Sequence, residues 1–376
     1  MPCGSPCTLF PHRSAREIVL LFKFRVVMLA ASLGGFLPAA TAQRADIRAP
    51  VPQAALLRTP VLDHLRAAHS VSCGISKEEE DYSRAEDHGN RAAFDIDICK
   101  AVTVAVLGPG SPLVIKSYPD EPAVLAALKK GEVDLVASAS PSVTNTAADF
   151  LFSQPSLYDG QGFLFPANPR VHSPVDLAGK KVCFLTASAA EDGLHSYAAQ
   201  RGITYVWYPF SEAGEMEAAF FTGNCDAISS EVTQLANIRG IDPARMREFT
   251  ILPQLIRQDP LAVVTPAQDI RFATIVHWTL QTLVEAEELG VNQGNVKTMA
   301  QSSRPELQQL LGQWFGTGTT LGLDPHWGAQ VIEAVGNYGE IFARDLGGGS
   351  PLGLDRGENR LWSQGGLMLA TPLTDR

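Results

Sequence analysis

The 376-residue chain predicts an α/β fold of two lobes, each a mostly parallel sheet flanked by helices, joined by two crossover segments. Three observations predict it. From Val71 onward, short β-rich apolar runs alternate with runs of helical period, the pattern of a parallel sheet with covering helices. The alternation breaks at Tyr158-Asp159-Gly160-Gln161-Gly162 and then starts afresh. Long helical segments return after about residue 267, so the chain crosses between lobes near 159–163 and again near 259–263. Two crossings make a hinge over a cleft.

In the first lobe, Thr59-Pro60 starts a helix and 71–75 is a short strand. Phe94, Ile98, Ala101, Val102, Ala105 and Val106 recur at helical spacing along one face, and Gly108 ends that helix. A strand at 113–118, a helix at 122–130 stopped by Gly131 and a strand at 133–137 complete a β-α-β-α-β order. The second lobe repeats the class. Ser173-Pro174 caps a short helix, strands fall at 182–185, 203–208 and 226–229, and helices fall at 189–200 and 212–221. A long amphipathic helix at 267–289, shorter helices and a Gly/Pro-rich tail from Gly347 pack around the first lobe.

Hydrophobic residues make up 45% of the chain and charged ones 19%, so a large core is available and two domains are the better prior. The N-terminus stands apart. Arg13, Arg16, Lys23 and Arg25 precede an apolar run at 26–36, and Ala40-Thr41-Ala42 supplies a small-x-small cleavage pattern before Gln43. This is a secretory signal peptide at 1–42; the apolar stretch is too short after Arg25 to span a bilayer. Cys3 and Cys7 precede the apolar run, so neither is a lipoprotein cysteine. The Ala-, Pro- and Arg-rich stretch at 43–58 reads as a tail. The lobes are then 59–160 with 261–376, and 161–260.

Segment 1–42 holds four basic residues and one acidic one, so its removal takes the net charge from −10 to −13. That excludes a nucleic-acid footprint and gives no attraction to anionic lipid. Cys73, Cys99, Cys183 and Cys225 remain, an even number that favours disulfides in an exported protein, with three pairings open. The histidines are scattered and no CxxC or HExxH pattern occurs, so neither a metal site nor a cofactor is expected. A nucleophile elbow and a phosphate loop are also missing from the sequence.

Five stretches carry a resemblance. They are Phe94-Asp95-Ile96-Asp97-Ile98-Cys99-Lys100-Ala101-Val102, Tyr158-Asp159-Gly160-Gln161-Gly162-Phe163, Ala286-Glu287-Glu288-Leu289-Gly290-Val291, Ala334-Val335-Gly336-Asn337-Tyr338-Gly339-Glu340-Ile341-Phe342, and Leu361-Trp362-Ser363-Gln364-Gly365-Gly366-Leu367-Met368. In this order the chain resembles the family 3 solute-binding proteins, and within them the general L-amino-acid-binding proteins of bacterial ABC importers. The resemblance implies a type II periplasmic binding protein fold, a monomer that delivers its solute to an inner-membrane permease, and disulfides Cys73–Cys99 and Cys183–Cys225.

It also implies a ligand site. A zwitterion removed from water needs donors for its carboxylate and an acceptor for its ammonium, since either charge buried unpaired costs several kcal/mol. The family's lobe 1 arginine, which grips the carboxylate bidentately, falls on Thr146 in an ungapped alignment between Asp134-Leu135-Val136-Ala137 and Phe152-Ser153-Gln154-Pro155. Two readings stay open there: a displaced or compensated clamp, and a changed ligand. Glu231 matches the family's ammonium-binding aspartate, with a solvated helix-start carboxylate as the competing reading. Ser188, ahead of a helix, is an anion-receiving residue or a plain N-cap. Tyr82 matches an aromatic that stacks on the ligand, and the acidic run at 78–81 beside it is a solvated loop or a cleft wall favouring cations. Ala137, Ser138 and Ser140 line lobe 1.

The leading expectation is therefore a periplasmic, non-enzymatic receptor for an amino acid or related amine. A solute sensor, a binding protein for a different ligand, and a dehydratase-like enzyme with Glu231 as general acid are the alternatives.

Overall fold

The alternation in the sequence becomes a sheet with covering helices in the computed structural model, which describes residues 58–76, 91–147, 149–242, 244–312 and 317–373. The signal-peptide segment, most of the tail, the acidic run at 78–81 and Tyr82 lie outside the described residues. The strands are β1 (Val71–Ser76), β2 (Leu113–Tyr118), β3 (Leu135–Ala139), β4 (Phe150–Pro166), β5 (Lys181–Leu185), β6 (Val206–Phe210), β7 (Ala227–Glu231), β8 (Phe249–Ile251) and β9 (Arg257–Pro266). Their order is β2-β1-β3-β9-β4-β7-β5-β6, with β8 also on β4. Pairing is parallel within β2-β1-β3 and within β7-β5-β6. It is antiparallel wherever β4 or β9 takes part. Two parallel blocks of one continuous sheet are thus joined through two long strands that run in opposite directions, and these strands are the crossovers.

The principal helices are α1 (Pro60–Ala68), α2 (Arg91–Leu107), α3 (Glu121–Lys130), α4 (Val143–Ala147), α5 (Ala189–Arg201), α6 (Ala213–Phe221), α7 (Val232–Gly240) and α8 (Ile270–Glu288). Local chemistry sets their ends. The Asp120 carboxylate accepts from the Ala123 amide at 2.8 Å to start α3, and Gly131, at φ 71°, ends it in the left-handed conformation that glycine adopts without steric cost. Helix α2 shows how packing overrides a simple amphipathic stripe. Its expected face is buried from Phe94 to Ala105, but Ala92, Ala93, Thr103 and Val104 are buried too. The helix lies between β1 on one side and α8 with the helices Trp327–Val335 and Tyr338–Asp345 on the other.

Alternation along β4 sorts the second half of the molecule into two layers. Phe163 and Phe165 enter a cluster with Phe184, Leu194 and Tyr205, while Leu164 enters another with Met216, Phe220 and Leu235. Side chains of successive residues point to opposite faces, so α5 covers one face of this sheet and α6 and α7 the other. Fully burying one such phenylalanine or leucine contributes ~1.5–3 kcal/mol. Disulfides join Cys73 to Cys99, tying β1 to α2, and Cys183 to Cys225, tying β5 to the segment before β7.

Most expected elements form within a residue or two of their expected ends. Two strands begin later than apolar content indicates: β3 starts at Leu135, because Asp134 accepts the Ser72 amide at 2.7 Å, and β6 starts at Val206 after Ile203 and Tyr205 turn into the α5 core. Helix α4 buries none of its residues, and the sequence pattern does not predict it.

Candidate functional site

The floor of the cleft is set by strand register. Gln161 of β4 pairs with Arg257 of β9 on one side and Glu231 of β7 on the other, and two residues along β4, Asp159 pairs with Asp259. A period of two puts all five side chains on one face. On that face the Arg257 guanidinium lies 3.8 Å from Glu231 and 3.6 Å from Asp259. Gln161 is fully buried, and its amide donates to the Ala190 carbonyl at 2.6 Å and to Ser229 at 2.9 Å, which docks the start of α5 on the crossover.

The first lobe adds a second tier. Ser140, just past β3, donates its hydroxyl to Asp259 at 3.0 Å and its amide to Glu121 at 3.0 Å. Ser138 donates to Asp95 at 2.6 Å. Arg91, at the start of α2, stands 3.4 Å from Asp95 and 3.7 Å from Asp159. Thr233, in the first turn of α7, donates its hydroxyl to the same Asp159 carboxylate. One chain of contacts therefore runs from α2 through the crossover strands to α7.

Carboxylates outnumber guanidinium groups in this network, and their protonation reflects it. Burial raises the Asp159 pKa against the pull of Arg91 and Thr233. Burial also raises Glu231, with the Asp159 charge adding to it and Ser230 and Arg257 opposing. Glu121 is raised by burial and by Asp259, with the Ser140 amide opposing. Desolvation penalises each charged form, and neighbouring like charges deepen the penalty. A cation entering the cleft would relieve both.

The expected site residues divide. Ser138, Ser140 and Glu231 join the network. Ser188 caps α5, accepting from the Glu191 amide at 3.2 Å and donating to the Leu185 carbonyl at 2.7 Å. The Glu191 carboxylate accepts the Ala187 amide at 2.7 Å, so the helix N-terminus is already supplied with an anion from its own chain. Ala187 itself holds a left-handed φ of 56°, a strained turn for a residue with a side chain. Thr146 is exposed on α4 and donates to the Ser142 carbonyl at 2.8 Å, with no hydrogen bond to the network among the described residues. Sequence reasoning missed Arg257, Asp259, Gln161, Asp95, Glu121 and Arg91. Polar residues at alternate positions 159, 161 and 257, 259 of the two crossovers were the available signal. Among the described residues no cluster of His, Cys, Asp and Glu could hold a metal ion.

Two parallel α/β lobes on a two-strand hinge, with a polar network at the seam, define a type II periplasmic binding protein. The comparisons with known proteins agree. The general L-amino acid-binding periplasmic protein AapJ of Rhizobium johnstonii is 36% identical over 317 residues, covering 83% of this chain and 92% of AapJ. The glutamate/glutamine/aspartate/asparagine-binding protein BztA of Rhodobacter capsulatus is 33% identical over 317 residues, covering 83% and 92%. A solved periplasmic binding protein of an ABC transporter from Brucella ovis, with glutathione bound, is 31% identical with a TM-score of 0.72, covering 84% of this chain and 100% of that one. No protein-family model matches the chain.

The chain belongs to the family 3 solute-binding proteins, as a periplasmic component of an amino-acid-type ABC transporter. It works with a membrane permease, and these relatives are binding proteins rather than enzymes. Among the described residues no helix is long and apolar enough to cross a membrane.

Proposed function

We propose that this chain is a non-enzymatic receptor that closes on a small amine-bearing solute, cationic in preference to anionic, and presents it to its permease. One observation carries the preference. Asp159, Asp259, Glu231 and Glu121 face a seam where, among the described residues, the guanidinium groups Arg91 and Arg257 already stand against carboxylates. An incoming ammonium finds acceptors there. An incoming carboxylate would have to displace one of them, and Thr146 offers one hydroxyl and no charge where the resemblance expects an arginine. In this reading Glu231, Ser138 and Ser140 bind the solute directly, Tyr82 stacks on it, Ser188 supports the wall from lobe 2, and Thr146 sets the missing clamp. The lobes are 59–160 with 261–376, and 161–260, a division supported by the placement of β5, β6, β7 and β8 all beyond β4 in the sheet. Closure around the solute selects the form that the permease recognises.

The glutathione in the Brucella ovis protein favours a second reading, a peptide-sized solute whose ammonium is held by the same acids. Calorimetry of the purified protein with L-lysine, L-arginine, putrescine, L-glutamate and glutathione separates the two. Binding of at least one cationic solute tenfold or more tighter than L-glutamate is the expected result. Tight glutamate binding would overturn the charge preference, and glutathione binding tightest of the five would establish the second reading.

A further inference from the structure

On the other side of the crossover from the Gln161 row there is a cavity of about 780 Å3. Its position follows from the glycines of β4. A Cβ on Gly160 would meet the Leu255 side chain, and one on Gly162 would meet Val232, and both of these residues line the cavity. Ser138, Ser140, Ser188 and Glu231 do not line it, while Asp159, Thr233 and Arg257 of the crossover network border it. One wall comes from α7 and the segment 251–256, and the opposite wall from the C-terminal segment 353–360 with Phe342 and Leu346. The volume lies in the range that takes a drug-sized molecule.

The lining mixes polar and apolar surface, and among the described residues it holds one part-buried arginine without a carboxylate partner. Ile251, Leu252, Leu255, Phe342, Leu346 and Leu354 supply the hydrocarbon surface. Among the charged lining residues, Asp159 is held by Arg91 and Thr233, Arg356 is taken by Glu287, Glu358 meets Gln258, and Arg257 stands against Glu231 and Asp259. Asp355, which is exposed, accepts the Gly357 amide. Arg360 donates to the Gly357 carbonyl and is exposed. Arg239, in the last turn of α7, is different. Its Nη2 donates to the Leu352 carbonyl, its Nε is buried without an acceptor, and no carboxylate lies within ion-pair distance among the described residues. Burial pushes its pKa below the ordinary arginine range, so the cation is under-compensated where it stands.

We propose that this cavity is a second binding site, bordering the solute cleft at Asp159 and Arg257, for a small amphipathic carboxylate whose head pairs with Arg239 and whose hydrocarbon body lies on the apolar residues of the walls. A guanidinium fork matches a carboxylate. A dianion such as phosphate would need a second buried free cation, since Arg360 is exposed to water, and the acids Asp159, Asp355 and Glu358 in the lining oppose it.

The test uses octanoate, with octylamine as a probe of the same length and opposite charge. Calorimetry on the purified protein should show octanoate binding at one site and octylamine failing to bind there. Arg239→Met should weaken octanoate at least tenfold, while Glu231→Gln, which alters the cleft, should leave it unchanged. Leu354→Trp fills the cavity and should abolish octanoate binding while leaving the circular dichroism spectrum and cleft-solute binding as in wild type. Absence of octanoate binding at millimolar concentration, equal binding by Arg239→Met, or loss of binding in Glu231→Gln would each overturn the proposal.

Discussion

At Glu231 the fold gives a carboxylate two jobs whose energies differ in size. It stands 3.8 Å from Arg257 with the pair about one-third exposed, a geometry in which an ion pair contributes ~0–1 kcal/mol to stability. A bound ammonium would draw more from it, since a hydrogen bond to a charged group is worth ~1.5–3 kcal/mol. Glu231→Gln should therefore leave the melting temperature within a few degrees of wild type and weaken an amine-bearing solute by roughly tenfold to a hundredfold. Burial raises the Glu231 pKa, so wild-type binding should fall on acidification at a higher pH than an ordinary glutamate would give. Calorimetry across pH checks this: the fall should flatten in Glu231→Gln, and an unaltered profile would show that another group reads the amine. Thr146→Arg tests the opposite charge. It should strengthen neutral L-amino acids by tenfold or more if residue 146 borders the closed cleft, and weakened binding would place the clamp elsewhere.

The two crossover strands explain why the elements meet as they do, and one glycine makes the point. A Cβ on Gly160 would sit 2.5 Å from the Arg257 carbonyl and 2.7 Å from Leu255. The nearer atom is backbone, so β9 itself must shift, and with it the row of Arg257, Gln161 and Glu231. Gly160→Ala should destabilise the fold by about 1–3 kcal/mol, as overpacking does, and should weaken solute binding as well. Thermal melts and calorimetry on one sample read both, and a wild-type melting temperature would show that the crossover yields. That glycine was legible only as part of a break in the alternation. The helices and parallel strands were legible because period and breakers are local, as in α2 with its stop at Gly108 and α3 with its stop at Gly131. The cleft network was not. It depends on which residue of β9 pairs with which residue of β4, a register spanning about a hundred positions that no local pattern carries. Glu231, Ser138 and Ser140 were reached through the resemblance, while Arg257 and Asp259 had no comparable guide.

Across the molecule, perturbed carboxyl groups lean one way. Glu285 on α8 is pushed by burial, with Glu288 adding to it, up to about 7, although its carboxylate accepts the Leu373 amide. Asp345 is raised by burial and by the neighbouring Asp97, against the pull of Arg344. Asp134 is raised by burial too, joining Asp159, Glu121 and Glu231. A carboxyl whose pKa is higher in the folded state than in the unfolded state holds its proton better when folded. Its contribution to stability is complete below the unfolded value and is lost as pH rises through the folded value. For Glu285 that window runs from about 4.5 to about 7. The loss is on the order of 3 kcal/mol at most. Self-repulsion acts in the same direction, because the chain carries a net charge of −10 at pH 7 and grows less negative on acidification. Asp176 and Glu306 are lowered by hydrogen bonds at exposed positions, so their effect is confined to more acidic pH. The purified protein should accordingly melt several degrees higher at pH 5 than at pH 8, the reverse of a fold stabilised mainly by ionised carboxylates. Glu285→Gln removes one titrating group while keeping the shape and an acceptor for the Leu373 amide. Its melting temperature should vary less between the two pH values than that of the wild type. A wild-type melting temperature that is flat or rises from pH 5 to pH 8 would show that these buried carboxyls reach water more freely than their packing implies.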